Sequence, residues 1–174
     1  MNRKIKFEHV LQKFDYDCGV AAVISLMMLT GKKRLMESEV EKRLKTTYEL
    51  GTSPENIKRL LVEETVEYVE KRNIKIAELG RFINEGYVCL VVYQAWWSEE
   101  EKDNLLCGHY SIVFDIDKDF VWLIDPGIAV ETEPGAGLGV VKKERKDFDK
   151  RWVDREESGE IYDHWMVGVK HTVI

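Results

Sequence analysis

The segment Cys18 to Thr30, CGVAAVISLMMLT, constrains the fold more than any other stretch: thirteen residues without a charge, apolar almost all round, closing on Gly31. A helix that is hydrophobic on every side has to be enclosed on every side. A glycine directly after it supplies the left-handed stop that such helices commonly use. The prediction is a central helix buried among the other elements. Thirteen residues fall short of the roughly 20 that cross a bilayer, and the other long uncharged run, Gly86 to Ser98, is no longer. No membrane span is expected.

Around that helix the pattern is helical first and stranded afterwards. Met36 to Thr46 is charged, with Met36, Val40 and Leu44 at intervals of four, and reads as a short surface helix. Thr52-Ser53-Pro54 supplies an N-cap and a first-turn proline, and Ile57, Leu60, Leu61, Val66 and Val69 predict an amphipathic helix ending near Arg72. From Tyr87 the chain becomes β-branched and aromatic, YVCLVVYQAW, which predicts a buried strand. Gly108 to Ile116 and Phe120 to Ile124 read as a hairpin turning around residue 117, and Trp165 to Val173 as a last strand. Short helical pieces are expected at Ile76 to Asn84 and Asp147 to Trp152. The order predicts an α+β fold, a helical N-terminal half packed on an antiparallel sheet in the C-terminal half. The 174 residues, without repeat or linker, are expected to form a single domain, 1–174.

Charge and motifs remove several classes of function. Lys plus Arg number 26 against 32 Asp plus Glu, a net charge of −6 that gives a phosphate backbone no general attraction, so no nucleic-acid partner is expected. Arg3, Lys4 and Lys6 are followed by Glu8, Asp15 and Asp17, so no signal-peptide hydrophobic region forms and a cytoplasmic location is expected. Asp115-Ile116-Asp117-Lys118-Asp119 resembles the start of a calcium loop. Phe120 stands where that loop needs glycine and Pro126 where it needs a bidentate glutamate, leaving a polar hairpin turn. Gly135-Ala136-Gly137-Leu138-Gly139 lacks dinucleotide-binding spacing and reads as a flexible loop. Cys107 and His109 share a strand face as two possible ligands, but no neighbouring motif completes a metal set. No metal and no cofactor is expected.

Three cysteines at irregular spacing, Cys18, Cys89 and Cys107, argue against a disulfide framework and for a reactive thiol. Cys18 falls in the first turn of the apolar helix, where unpaired N–H groups and the positive end of the macrodipole favour a thiolate. Asp17 is expected as its N-cap, leaving the Cys18 N–H free for an oxyanion. Gly19 keeps side-chain bulk away from an approaching substrate. Gln12, six residues upstream, is within reach to donate a second hydrogen bond to that oxyanion. In the predicted hairpin His109 lies opposite roughly residue 125, so the Asp125 carboxylate can orient the imidazole. Taken singly, these residues read as a buried structural thiol, a surface amide, a core histidine and a turn-forming aspartate before proline. Together they predict a nucleophilic thiol with an oxyanion donor beside it and an imidazole oriented by a carboxylate.

The combination of Gln12, Asp17-Cys18-Gly19 before an apolar helix, Gly108-His109-Tyr110 opening a strand, and Asp125-Pro126 resembles the papain-like cysteine peptidases of the C39 type. The best-known members trim leader peptides after a double glycine during bacteriocin export. Weaker agreement covers Gly51-Thr52-Ser53-Pro54 and Phe148 with Trp152, so the resemblance runs from about residue 10 to 170. It implies a papain-like fold with Cys18 as nucleophile, His109 as general base, Asp125 as its orienting partner and Gln12 as oxyanion-hole donor. Two positions depart from many relatives: Gly19-Val20 in place of Gly-Pro, and Asp115 in place of a glycine. The bacteriocin members are fused to a membrane transporter, and the free-standing C39-like proteins are expected to be the closer comparison.

The expected reaction is hydrolysis of a peptide or protein substrate. An acyltransferase would use the same Cys-His-Asp site, and a catalytically silent module of the same fold would bind peptides without cutting them. A redox or metal sensor would use Cys18 with Cys107 and His109. Cys89 and Cys107 are otherwise expected as buried packing on strands. The inserted stretch Gln94 to Asn104, QAWWSEEEKDN, reads equally as a lid over the cleft or an exposed turn.

Overall fold

The computed structural model describes residues 5, 7–96, 105, 108–156 and 158–172. Helix α1 spans Cys18–Leu29, and all but one of its residues are buried. Gly31 closes it at φ +82, its N–H on the Met28 carbonyl at 3.0 Å, as the sequence predicts. Two surface helices, α2 (Glu37–Leu44) and α3 (Pro54–Glu63), cover one flank of it with Val40, Leu44, Ile57, Leu60 and Leu61. Ser53 caps α3 through the Glu55 N–H, with Pro54 in the first turn.

Helix α3 stops at Glu63 rather than near Arg72. Thr65 takes a left-handed φ of +54, which breaks the helix, and Val69–Lys71 forms strand β1. The apolar residues Val66 and Val69 carried the helical spacing past that break. Helix α4 (Ile76–Asn84) leads into the buried strand β2 (Tyr87–Gln94). Strands β3 (Gly108–Ile116) and β4 (Phe120–Ile124) then form the hairpin. Asp117 makes its turn, Oδ1 accepting from the N–H groups of Asp119 and Phe120. Strand β5 (Val140–Glu144), in which two valines are followed by Lys142, Lys143 and Glu144 at a sheet edge, had no strand reading in the sequence. The chain continues through α5 (Arg145–Arg151), the small β6 (Val153–Arg155) and β7 (Ile161–Asp163) pair, and β8 (Met166–Lys170), shorter at both ends than Trp165 to Val173.

The main sheet has six antiparallel strands in the order β1-β8-β2-β3-β4-β5. Both faces are buried, so its central strands read as nearly continuous apolar runs. One face, with Val88, Leu90, Val92, Tyr110, Ile112 and Ile124, meets α1 and its flanking helices. The other, with Cys89, Val91, Tyr93, Val113 and Leu123, meets α4, Phe148 and Trp152. Cys89 is fully buried packing, as expected, whereas Cys107 lies outside the described residues. Among the described residues no helix is long and apolar enough to cross a membrane.

Candidate active site

The hairpin register brings His109 and Asp125 together by a route that differs in detail from the sequence prediction. Val113 pairs with Leu123 but Asp115 with Trp122, so a bulge intervenes at Phe114 and moves the strand beyond it by one residue. Continued from the Ile112–Ile124 pair, that register sets Ser111 opposite Asp125, and His109 becomes its diagonal neighbour on the same face. The imidazole is long enough to span the diagonal: His109 Nε2 lies 2.7 Å from Asp125 Oδ1. Asp125 is also the turn residue that its place before proline implies, since the same oxygen accepts the Gly127 N–H at 2.8 Å.

Cys18 reaches this pair from the helix on the other face of the sheet, at the sheet's end. It is 7% exposed. Its thiol stands close enough to the imidazole to raise the ring's affinity for a proton. With Nε2 committed to Asp125, Nδ1 is the nitrogen available to the thiol, and it has no hydrogen-bond partner among the described residues. Such a near but unformed bond is common in unliganded thiol and hydroxyl enzymes.

Burial works against a charge on His109, but the Asp125 hydrogen bond and the Cys18 thiol outweigh it, and the imidazole is pushed up to about 9. Burial likewise penalises the Asp125 carboxylate, and the His109 hydrogen bond overcomes it and holds the carboxyl below its ordinary range. An imidazole raised from 6.5 binds its proton more tightly folded than unfolded. Its stabilising contribution is therefore complete below pH 6.5 and is lost as the pH rises to about 9. The melting temperature is expected to fall on the order of 5 °C across that interval. His109→Ala should flatten this slope in a calorimetric pH series.

Gln12 lies beside the pair. Its backbone N–H donates to the Pro126 carbonyl at 2.9 Å, pinning the N-terminal segment next to Asp125. Gln12 Oε1, Asp125 Oδ1 and His109 Cε1 converge over the Cα of Gly127, where an added Cβ would meet them at 3.3, 3.3 and 3.6 Å. One amide N–H of Gln12 donates to the Phe14 carbonyl at 2.9 Å, which leaves the second for another acceptor.

Two neighbours of Cys18 behave differently from the sequence expectation. Asp17 occupies the N-cap position but makes no side-chain cap. Its carboxylate turns back to accept from the N–H groups of Lys13 and Phe14 at 3.1 Å each, because its φ and ψ of −103 and 16 are not the extended values a capping side chain needs. The first turn of α1 is thus left without a side-chain cap. Gly19 opens no path to substrate. It is buried under Thr52, whose Cβ and Oγ1 an added methyl would meet at 2.6 and 2.7 Å. Thr52 is held in place by its Oγ1 contact to Thr46 at 2.7 Å and by Tyr110, whose hydroxyl donates to the Thr52 carbonyl at 2.8 Å. Gly19→Ala is expected to cost about 1–3 kcal/mol in denaturant unfolding through overpacking.

Further residues surround the site without a clear sequence signal. Trp96 stands against His109, ring centroids 4.8 Å apart at 64°, while 61% exposed. It is the described end of the insertion, whose residues 97–104 lie outside the described set. His9 Nε2 bonds the Asp125 carbonyl oxygen at 2.9 Å. Tyr93 approaches the same aspartate from β2. Only the clustering of polar groups at one end of otherwise apolar strands hinted at any of these. Among the described residues no cluster of His, Cys, Asp and Glu is arranged to hold a metal. A groove of about 350 Å³ lined by Thr30, Lys32, Tyr68, Tyr87 and Lys170 includes none of the site residues.

No protein-family model and no curated protein sequence matches the chain. Solved structures do. A putative C39-like peptidase from Bacillus anthracis superposes with a TM-score of 0.69 at 14% identity, covering 96% of each chain. A double glycine motif protease from an AMS/PCAT transporter, solved with its leader peptide, gives 0.66 at 16% identity over 99% of this chain and 96% of that one. The peptidase domain of Streptococcus ComA, a bi-functional ABC transporter of a quorum-sensing pathway, gives 0.64 at 16% identity over 95% and 98%. With its buried Cys18 helix, its antiparallel sheet and these superpositions over nearly whole chains, the protein has the papain-like α+β fold of the C39 peptidase domains.

Proposed function

We propose that residues 1–174 act as one C39-like cysteine peptidase domain that hydrolyses peptide bonds. The observation that carries the reading is the buried His109–Asp125 pair, imidazole 2.7 Å from carboxylate with Nδ1 left unpartnered among the described residues, and the Cys18 thiol near enough to raise the ring's affinity for a proton. Cys18 Sγ, its proton taken by His109, attacks the scissile carbonyl carbon and forms the S–C bond. The resulting oxyanion is held by the uncapped N–H groups of the first turn of α1 and by the second amide N–H of Gln12. The C–N bond then breaks as His109 returns the proton to the leaving amine, leaving a thioester on Cys18. Water, deprotonated by His109, hydrolyses the thioester and restores the thiol. Asp125 holds the ring and balances its charge throughout.

A peptide substrate accords with the surface next to the nucleophile. Phe14 and Tyr16 stack with centroids 5.4 Å apart, and Tyr16 meets Tyr48 edge-on at 5.8 Å. Phe14 and Tyr48 are exposed, an aromatic row directly upstream of Cys18 suited to apolar side chains of an extended chain. The transporter protease in the comparison binds a leader peptide, which supports a peptide ligand here. The test is a mass-spectrometric screen of peptide libraries. Cleavage giving new amino and carboxyl termini, blocked by a thiol-directed epoxide, is the expected result. Peptide binding without any cleavage would overturn the reading in favour of a silent binding module.

A further inference from the structure

Tyr93 is a fully enclosed hydroxyl-bearing side chain, 1% exposed, that the mechanism above leaves unused. It pairs with His109 directly across the β2–β3 register. Its ring stands edge-on to the imidazole, centroids 6.0 Å apart and planes at 72°, with Phe148 packed on it at 5.5 Å. Its hydroxyl reaches Asp125 Oδ2 at 3.4 Å. The two carboxylate oxygens are therefore divided: Oδ1 receives His109 Nε2 and the Gly127 N–H, and Oδ2 faces the phenol.

We propose that Tyr93 is the positioning residue of the His109–Asp125 pair, its hydroxyl donating to Asp125 Oδ2 and fixing the rotation of the carboxylate that keeps Oδ1 on the imidazole. The inference rests on the cysteine peptidase reading. A carboxylate torsion is broad and roughly two-fold, so two donors on one oxygen leave the group free to swing about that oxygen. A donor on the second oxygen removes the swing. It also supplies a hydrogen-bond partner to an oxygen of a carboxylate that is 6% exposed, and a buried carboxylate oxygen without one is costly. Because Tyr93 comes from the strand paired with that of His109, the acid and the base are referenced to the same rigid pair of strands. Burial keeps the phenol protonated, and hence a donor, across the working pH range. At 3.4 Å the bond is long, so its effect is modest.

Tyr93→Phe keeps the ring and removes only the hydroxyl. The expected result is a kcat about tenfold lower with KM unchanged, and an alkaline limb of the pH–rate profile displaced downward by roughly half a unit. In an Asp125→Asn background the same substitution should have no further effect, since Tyr93 acts through that carboxylate. Wild-type kinetics in Tyr93→Phe, or an undiminished effect in the Asp125→Asn background, would overturn the proposal. If Tyr93→Phe does not fold, the wild-type protein carries the test by proton NMR. A slowly exchanging Tyr93 hydroxyl resonance that moves in Asp125→Asn supports the bond, and an unmoved or absent one overturns it. Failure of the peptidase reading is distinguished by Cys18 alkylation in the wild type: a rate independent of His109 defeats that reading, whereas a dependent rate with Tyr93→Phe like wild type defeats the Tyr93 role alone.

Discussion

Cys18→Ala is expected to lower kcat/KM by about 10⁴-fold or more for any peptide the wild type cleaves, with peptide affinity changed only a few-fold. The sulfur is the one atom of the site that forms a bond to substrate, so no neighbouring group replaces it. The fold should tolerate the change. Cys18 is buried as a small apolar side chain in the cluster around α1, and alanine is the best helix former at that position. A loss of about 1 kcal/mol in unfolding free energy, alongside complete loss of turnover, would separate chemistry from folding. The row of exposed Phe14 and Tyr48 around half-buried Tyr16 is untouched by the substitution, so the variant should retain bound peptide uncut. Isothermal titration against turnover on the same peptide measures both quantities.

The second large effect belongs to Asp125→Asn, expected to reduce kcat about 10²- to 10³-fold. The amide is the same size and its oxygen can still accept from His109 Nε2 and the Gly127 N–H. It carries no charge to balance an imidazolium. Buried, and stripped of that charge, His109 would be left with burial working against its protonation and only the Cys18 thiol favouring it. Its titration should drop from about 9 toward or below the ordinary 6.5, and the alkaline limb of the pH–rate profile should move down with it. The sign is diagnostic. A variant that merely disturbed packing would lose rate evenly across pH, whereas this one loses most between neutrality and pH 9. Rates measured from pH 5 to 10 on one substrate distinguish the two.

Much of this arrangement was legible in the chain before any coordinates. The all-round apolar run at Cys18 to Thr30 could be accommodated only by burial, and the β3–β4 hairpin followed from two apolar runs around a polar turn at Asp117. The hairpin reading set His109 beside Asp125, while Cys18 was joined to them by residue type and by the C39 resemblance. What escaped has identifiable causes. The hairpin turns between Lys118 and Asp119 and not at Asp117, and the bulge at Phe114 recovers only one residue of that offset, so the expected face-to-face pairing of His109 with Asp125 is in fact diagonal. Asp17 and Gly19 were assigned by local propensity, and tertiary contacts decided both. The Asp17 carboxylate is drawn back to the N–H groups of Lys13 and Phe14, and Gly19 is required by Thr52, 33 positions further along the chain. The break after Glu63 turned on a left-handed Thr65, a conformation threonine seldom signals. Strand β5 went unread because a lysine-rich edge strand resembles a charged loop.

The fold was thus carried by periodicity, and the site by residue types that the fold happened to converge. Tyr93, Trp96 and His9 show the limit of that reasoning. Each is ordinary in its own segment, and each acquires meaning only from standing beside His109 or Asp125. Neighbours of this kind are set by tertiary packing, which a one-dimensional pattern does not record.

The most direct measurement is the site and rate of alkylation by iodoacetamide at neutral pH, mapped by peptide mass spectrometry in the wild type and in His109→Ala. If Cys18 is the activated nucleophile, it is labelled ahead of Cys89 and Cys107, and its rate falls at least about tenfold in His109→Ala. Labelling of Cys89 or Cys107 ahead of Cys18, or a Cys18 rate indifferent to the loss of the imidazole, would contradict a catalytic Cys18–His109 pair.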